Sequence, residues 1–283
     1  MPDAPDTVSD LHAIAGFGLL AMAHAQAAQT PAQAYPDKPI RMIVPWNPGG
    51  TSDTIARILG QKMTEHWGQQ VVIDTRAGAS GIIGTEIAMR APSDGYTLLH
   101  ANMSQWATNP SLYKTSYDTL RDFAPVSMVA TAPQLLVVHP GVPVKSVRDL
   151  IALARAKPGE INFGSGGAGT LAYPAGELFN SLAGVNMVHV PYKGTVLALN
   201  DLLGGRLHVV FSDMPIALPH AKTGKVRALA VTGARRTPLV PELPAVAEAG
   251  VPGYAVENSW GVFARKGVPA AILDKLNAEI VRV

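Results

Sequence analysis

From Ile40 onward the sequence alternates between two hydrophobic periods, and this alternation restricts the fold more than any other feature. Ile40–Val44 (IRMIV) reads as a strand, ended by a turn over 45–50. Ile55, Ile58, Leu59, Met63 and Trp67 then recur at helical spacing, which predicts an amphipathic helix over 53–67. Strand 71–74, helix 82–90 and strand 96–100 continue the scheme. A strand–helix–strand–helix–strand order favours a parallel sheet covered by helices. The middle of the chain repeats it. Strand 134–138 precedes helix 146–156, strand 161–163 precedes helix 170–182, and strand 187–190 precedes helix Thr195–Leu203. Strands 209–211 and 228–231 follow. The expected class is α/β, with two three-layer lobes rather than one long sheet. Residues 123–138 are expected to cross from the first lobe to the second, and 260–264 to cross back. The predicted division is 1–34 as a leader, 35–130 plus 256–283 as lobe 1, and 131–255 as lobe 2.

The chain has 283 residues, enough for one or two domains, and 47% of them are apolar, enough for a sizeable core. Charged residues make up only 16%, which excludes a disordered chain. There is no cysteine, so disulfides, thiolate catalysis, zinc ribbons and iron–sulfur clusters are excluded. Residues 1–34 hold Asp3, Asp6 and Asp10 and no Lys or Arg. The remainder, with 23 basic and 18 acidic residues, therefore carries +5. That balance suits a small anionic ligand and falls far short of a nucleic-acid footprint.

Residues 11–23 (LHAIAGFGLLAMA) form an apolar run of 13, too short to span a bilayer and about the length of a signal-peptide core. Small-x-small sites follow at Ala23-His24-Ala25 and Ala25-Gln26-Ala27. The preceding MPDAPDTVSD is acidic where a signal peptide carries positive charge, so a disordered Ala-rich tail is the competing reading. Export to the periplasm is the expectation, and no later segment is apolar enough to cross a membrane.

Three Gly/Ser-rich loops each connect a strand to a helix start. The first runs Trp46-Asn47-Pro48-Gly49-Gly50-Thr51-Ser52-Asp53. Glycines let backbone approach a ligand, and the first N–H groups of a helix have no internal partner, so such a loop is an anion site. Plain capping by Ser52 or Asp53 is the alternative. The second loop is Arg76-Ala77-Gly78-Ala79-Ser80-Gly81. The third is Gly164-Ser165-Gly166-Gly167-Ala168-Gly169-Thr170, which matches the dinucleotide fingerprint G-x-G-x-x-G. That fingerprint wants an acidic residue about 20 positions on, where this chain reads Val190-Pro191-Tyr192-Lys193. Loops from both lobes converge if the lobes face one another, and a shared anion cleft follows. Catalytic signatures are missing: there is no G-x-S-x-G, H-E-x-x-H or Walker A motif. The eight histidines lack metal-ligand spacing, and His189, inside a strand, reads as a satisfied structural residue.

The stretches IRMIVPWNPGGTSD (40–53), VVIDTRAGASGIIGTE (71–86), PSDGYTLL (92–99), VPYKG (190–194), DLLGG (201–205), KVRALAVT (225–232) and PELPAVAEAGVPGY (241–254) stand in a specific order. In that order the chain resembles the Bug-type, TctC-like periplasmic solute-binding proteins of tripartite tricarboxylate transporters, over 35–283. The resemblance implies a two-lobed periplasmic binding protein type II fold, its lobes joined by crossover strands and closed over one small carboxylate. It implies no catalysis and no cofactor. The implied partners are membrane permease subunits or a sensor kinase, with no nucleic acid, and the implied state is a monomer. On the positions matching the family's ligand loops it implies Trp46, Thr51, Ser52, Asp53, Ala79, Ser80 and Ser104 from lobe 1. From lobe 2 it implies Ser165, Gly169, Thr170, Tyr192 and Asp213. The chain departs from the family's common Phe-Pro-Pro-Gly-Gly at Trp46-Asn47-Pro48-Gly49-Gly50, and Tyr173 stands where a His is frequent. The family continues past LNAEIVRV, so the chain is expected to lack a segment that completes lobe 1. The apolar face of Ile272, Leu273, Leu276, Ile280 and Val283 is expected to need a partner. A nucleotide-dependent α/β enzyme using the loop at 164–169 is the rival reading.

Overall fold

Strand β1 (Ile40–Val44) lies between β2 (Val71–Thr75) and β3 (Thr97–Asn102) and pairs parallel with both. The structure, a computed structural model, describes residues 34–283; the apolar run at 11–23 lies outside them. Helix α1 (Thr51–Trp67) crosses from β1 to β2 and α2 (Ile82–Met89) leads toward β3, the two crossovers that a parallel sheet requires. Helix α1 buries Ala56, Leu59 and Met63 and ends at Gly68, whose left-handed backbone lets its N–H reach Thr64 O at 3.0 Å.

The expected strand at 134–138 is the last third of a longer one, β4 (Phe123–Val138, 16 residues). Its first part reads FAPVSMVATAP, and two prolines hid it. The ladder shifts register beside the first, between Pro125 and Ser127, and again between Met128 and Ala130, while Pro133 stays in register with Glu257. In chain order come α3 (Val147–Ala156), β5 (Asn162–Ser165), α4 (Ala172–Ala183), β6 (Val188–Pro191), α5 (Thr195–Leu203), β7 (Val209–Asp213), α6 (Met214–Lys222), β8 (Arg227–Val231), β9 (Glu257–Arg265) and α7 (Ala270–Arg282). Strand β9 inserts antiparallel between β3 and the first part of β4. The second part of β4 pairs antiparallel with β7 and β8, and β5 lies parallel between β6 and β7. Strand β4 therefore belongs to both sheets. The expected lobe boundary at 130/131 falls inside it, and the one at 255/256 falls one residue before β9.

Alternation along β4 fills two layers of core. Leu136 and Val138 pack with Phe163, Phe179 and Phe211 on one face, and Leu135 and Val137 pack with Leu199, Leu202 and Val210 on the other. A sheet covered on both faces explains why its strands read as continuous apolar runs. In α7, Ile272, Leu276 and Ile280 are buried, as the helical spacing requires. Val283 lies past the last turn and is 40% exposed, so it is not part of that face.

Candidate functional site

The strand ends of both sheets open onto one cavity of about 770 Å³, a size that suits a small organic molecule. All three glycine loops border it. Trp46, Thr51, Ser52, Ala79, Ser80, Ser104, Thr170, Tyr192 and Asp213 line it. Asp53, Ser165 and Gly169 do not, and each instead shapes a loop.

In the first loop, helix α1 starts at Thr51 behind Gly50, with no side-chain cap. Capping by Ser52 or Asp53 is thus replaced by a first turn with open N–H groups beside the cavity. The Asp53 carboxylate, buried, accepts from Gly49 N and from Arg57 Nε, both at 2.9 Å, and folds the glycine turn against α1. Burial pushes its pKa up, but the Arg57 and Gly49 donors outweigh burial and hold it below the usual range. Ser52 Oγ accepts from Trp260 Nε1 at 3.0 Å. Trp46 Nε1 and Thr51 Oγ1 are buried without a partner.

The second loop carries successive left-handed residues, with φ 46° at Ala79 and 53° at Ser80. Non-glycine residues there cost about 1–2 kcal/mol each, so neighbours must hold the turn. Asn109 Nδ2 (2.9 Å) and Gln105 Nε2 (3.3 Å) both donate to Ser80 O. Ser104 N donates to Asn102 Oδ1 at 3.0 Å, which sets Ser104 at the tip of β3.

In the third loop, Ser165 Oγ accepts from Gly167 N at 3.0 Å and meets His189 Nε2 at 2.6 Å. His189 is wedged between the rings of Phe163 (5.1 Å) and Tyr173 (4.6 Å), and burial lowers its pKa. The pair fixes the loop from beneath. Helix α4 begins at Ala172, later than the expected 170. Thr170 Oγ1 donates to Gly167 O at 2.8 Å, so its proton is already committed. The same holds for Tyr192, whose hydroxyl donates to Asp201 Oδ2 at 2.8 Å. Gly169 sits where the loops from the two sheets meet: a Cβ there would stand 2.4 Å from Asn109 Oδ1 and 2.5 Å from Ser80 Cβ. Asn47 Nδ2 donates to Lys193 O at 2.8 Å and closes the other rim.

The floor lies where β4, β7 and β9 meet. Gln134 Nε2 and Asn258 Nδ2 donate to the same Asp213 oxygen at 3.1 and 3.2 Å. Burial pushes the Asp213 carboxyl up, against the two amide donors and the nearby Thr51 hydroxyl. Gln134, Asn258, Asn102 and Lys193 line the cavity and were not anticipated. Gln134 opens the apolar run in PQLLVV, where an amide was the available signal, whereas Asn258 stands between Glu257 and Ser259 in ENSWGVF and does not stand out. Among the described residues, no group of three or more His, Asp or Glu side chains could hold a metal ion.

The sequence profile of the tripartite tricarboxylate transporter family receptor matches residues 55–282. The chain belongs to that family. Over 269 residues this receptor is 38% identical to protein BugT of Bordetella pertussis, covering 94% of its own chain and 82% of BugT. Its structure is similar to that of R. palustris Rpa4515 with adipate, with a TM-score of 0.85 and 40% identity over 87% of the receptor and 83% of that chain. It is also similar to MatC from Rhodopseudomonas palustris with bound malate, with a TM-score of 0.82 and 31% identity over 88% and 85%. The receptor is a two-lobed α/β solute-binding protein.

Proposed function

We propose that this receptor captures a small organic carboxylate in the cleft, leaves it chemically unchanged, and passes it to membrane permease subunits, with a sensor kinase as a second recipient. The observation that carries the reading is the set of unsatisfied donors on the cavity wall. Trp46 Nε1 and Thr51 Oγ1 are buried without partners, beside the uncapped start of α1. A buried donor left unmade costs about 1–3 kcal/mol, which an anionic oxygen in that position recovers. The adipate and malate in the two structural relatives agree with this. The ligand loops Trp46–Asp53, 76–81 and Ser104 belong to a lobe of 35–130 plus 256–283. The loops at 164–170 and Tyr192, together with Asp213, belong to a lobe of 131–255. The leader-like segment at 11–23 and membership of a transporter receptor family support residence in the periplasm, where the receptor acts as a monomer.

Thermal unfolding with a panel of mono-, di- and tricarboxylates, amino acids and aromatic acids tests the reading. At a hundred times the dissociation constant a ligand stabilises by about 2.7 kcal/mol, a rise in melting temperature of roughly 5–10 °C for a protein of this size. At least one acid should produce it and be recovered intact. A rise with NAD, NADP or ATP alone, or turnover of the bound acid, refutes the assignment and favours the nucleotide enzyme.

A further inference from the structure

The polar atoms left without partners on the cavity wall are of two opposite kinds. Near the start of α1 the unpartnered atoms are donors, Trp46 Nε1 and Thr51 Oγ1. On the floor they are acceptors. Gln134 and Asn258, each 3% exposed, both turn their NH₂ groups to Asp213. That leaves Gln134 Oε1 and Asn258 Oδ1 buried with nothing to accept from. Asp213 is the third acceptor, faced by these two neutral amides and the nearby Thr51 hydroxyl, with no cation among them. Lys193, the cationic side chain on the cavity lining, is exposed at the rim.

We propose that the cleft selects carboxylates bearing an amino or hydroxyl group, with that N–H or O–H donor seated on Asp213, Gln134 and Asn258. The inference rests on the carboxylate reading above and narrows it. A bare carboxylate at the floor would set acceptor against acceptor in a buried place, where an unpaired polar group is most costly. An ammonium supplies up to three protons to three acceptors and also the countercharge that Asp213 lacks. A hydroxyl supplies one proton and no charge, so of the two it is the weaker match. The anionic end of the same molecule then meets Trp46, Thr51 and the open turn of α1. The direction in which burial moves the Asp213 carboxyl agrees with this: the ionised form is short of positive charge in the empty cleft.

The test is calorimetric, on the full chain, with three ladders of matched acids that differ by one substituent. They are propionate, lactate and alanine; succinate, malate and aspartate; and glutarate, 2-hydroxyglutarate and glutamate. Unsubstituted aromatic acids complete the panel. In at least one ladder the amino or hydroxy member should bind at least tenfold more tightly than the plain acid. Which of the two leads separates ammonium from hydroxyl recognition. In Asp213→Asn, shown by cooperative unfolding to be folded, that preference should fall to within about threefold. The proposal is overturned if the plain acid binds as tightly as its substituted partners throughout. It is also overturned if folded Asp213→Asn keeps the preference, or if binding is confined to acids outside the ladders. If no acid in the panel binds, the carboxylate reading itself fails, and that result is distinct from binding without preference.

Discussion

His100 lies on β3 with no accessible surface, and neither ring nitrogen has a partner among the described residues. Burial pushes its pKa down to about 4, from an ordinary 6.5. The folded protein therefore holds it neutral in a range where the unfolded chain takes up a proton. Stability is complete above pH 6.5 and is lost as the pH falls toward 4. Each tenfold difference in proton affinity between the folded and unfolded chain is worth about 1.4 kcal/mol, so the full loss from this group is about 3 kcal/mol. Urea unfolding at pH 7 and pH 4.5 should show that His100→Leu removes most of this acid sensitivity. If the variant loses as much stability on acidification as the parent, His100 is not its source. At the cavity, Thr51→Val deletes an unpartnered donor and should weaken carboxylate binding roughly tenfold to a hundredfold, the range for a bond to a charged group. Thr170→Val should cost less in direct contact, because that hydroxyl already donates to Gly167 O. Calorimetry that ranks the two the other way would contradict this reading of the two hydroxyls.

At the scale of elements, two helix starts differ in how their first donors are served. Helix α3 is closed by Ser146, whose Oγ accepts from Asp149 N at 3.1 Å, while Asp149 Oδ2 accepts from Lys145 N at 2.9 Å. This reciprocal cap satisfies donors that solvent would otherwise serve. Ser146→Ala should destabilise the protein by about 1 kcal/mol, read as a lower urea midpoint, and leave ligand affinity unchanged. A change in affinity would mean that α3 is coupled to the cleft. Helix α1 follows the opposite rule, starting behind Gly50 with no side-chain cap. The glycine loops before the helices were legible from residue type alone, because their chemistry is local. The roles inside them were not. Asp53, Ser165 and Gly169 look in sequence like contact residues. In the folded loops Asp53 Oδ2 is taken up by Gly49 and Arg57, Ser165 Oγ by Gly167 and His189, and Gly169 by close packing against Ser80.

Across the whole molecule, the two sheets share β4, and their loops meet over the cavity at two rims. One rim is the bond from Asn47 to Lys193 O, and the other is the packing of Gly169 against Ser80 and Asn109. Gly169→Ala places a methyl group where the opposite loop now stands, and the loops must part to admit it. Overpacking of this kind costs about 1–3 kcal/mol, so ligand affinity should fall roughly fivefold to a hundredfold. The melting temperature without ligand should change little, since the strain lies at the rim rather than in either core. If affinity is unchanged while the unliganded protein is destabilised, the contact is structural and not part of closure.

Periodicity alone determined the βαβαβ opening, the strand–helix alternation of the second sheet, and α5 to the residue, since each depends on neighbours within a few turns. The ordered motifs determined the family, and with it the two-lobed class. Only the tertiary structure decided that β4 is continuous through two prolines, because its ladder, including the register shift beside Pro125, forms against β9, more than a hundred residues away. It alone assembled the cavity floor as well. Gln134, Asp213 and Asn258 are separated by 79 and 45 positions and meet where three strands cross. No local pattern encodes such a meeting, because backbone pairing between distant segments, and not side-chain type, brings those three groups to one oxygen.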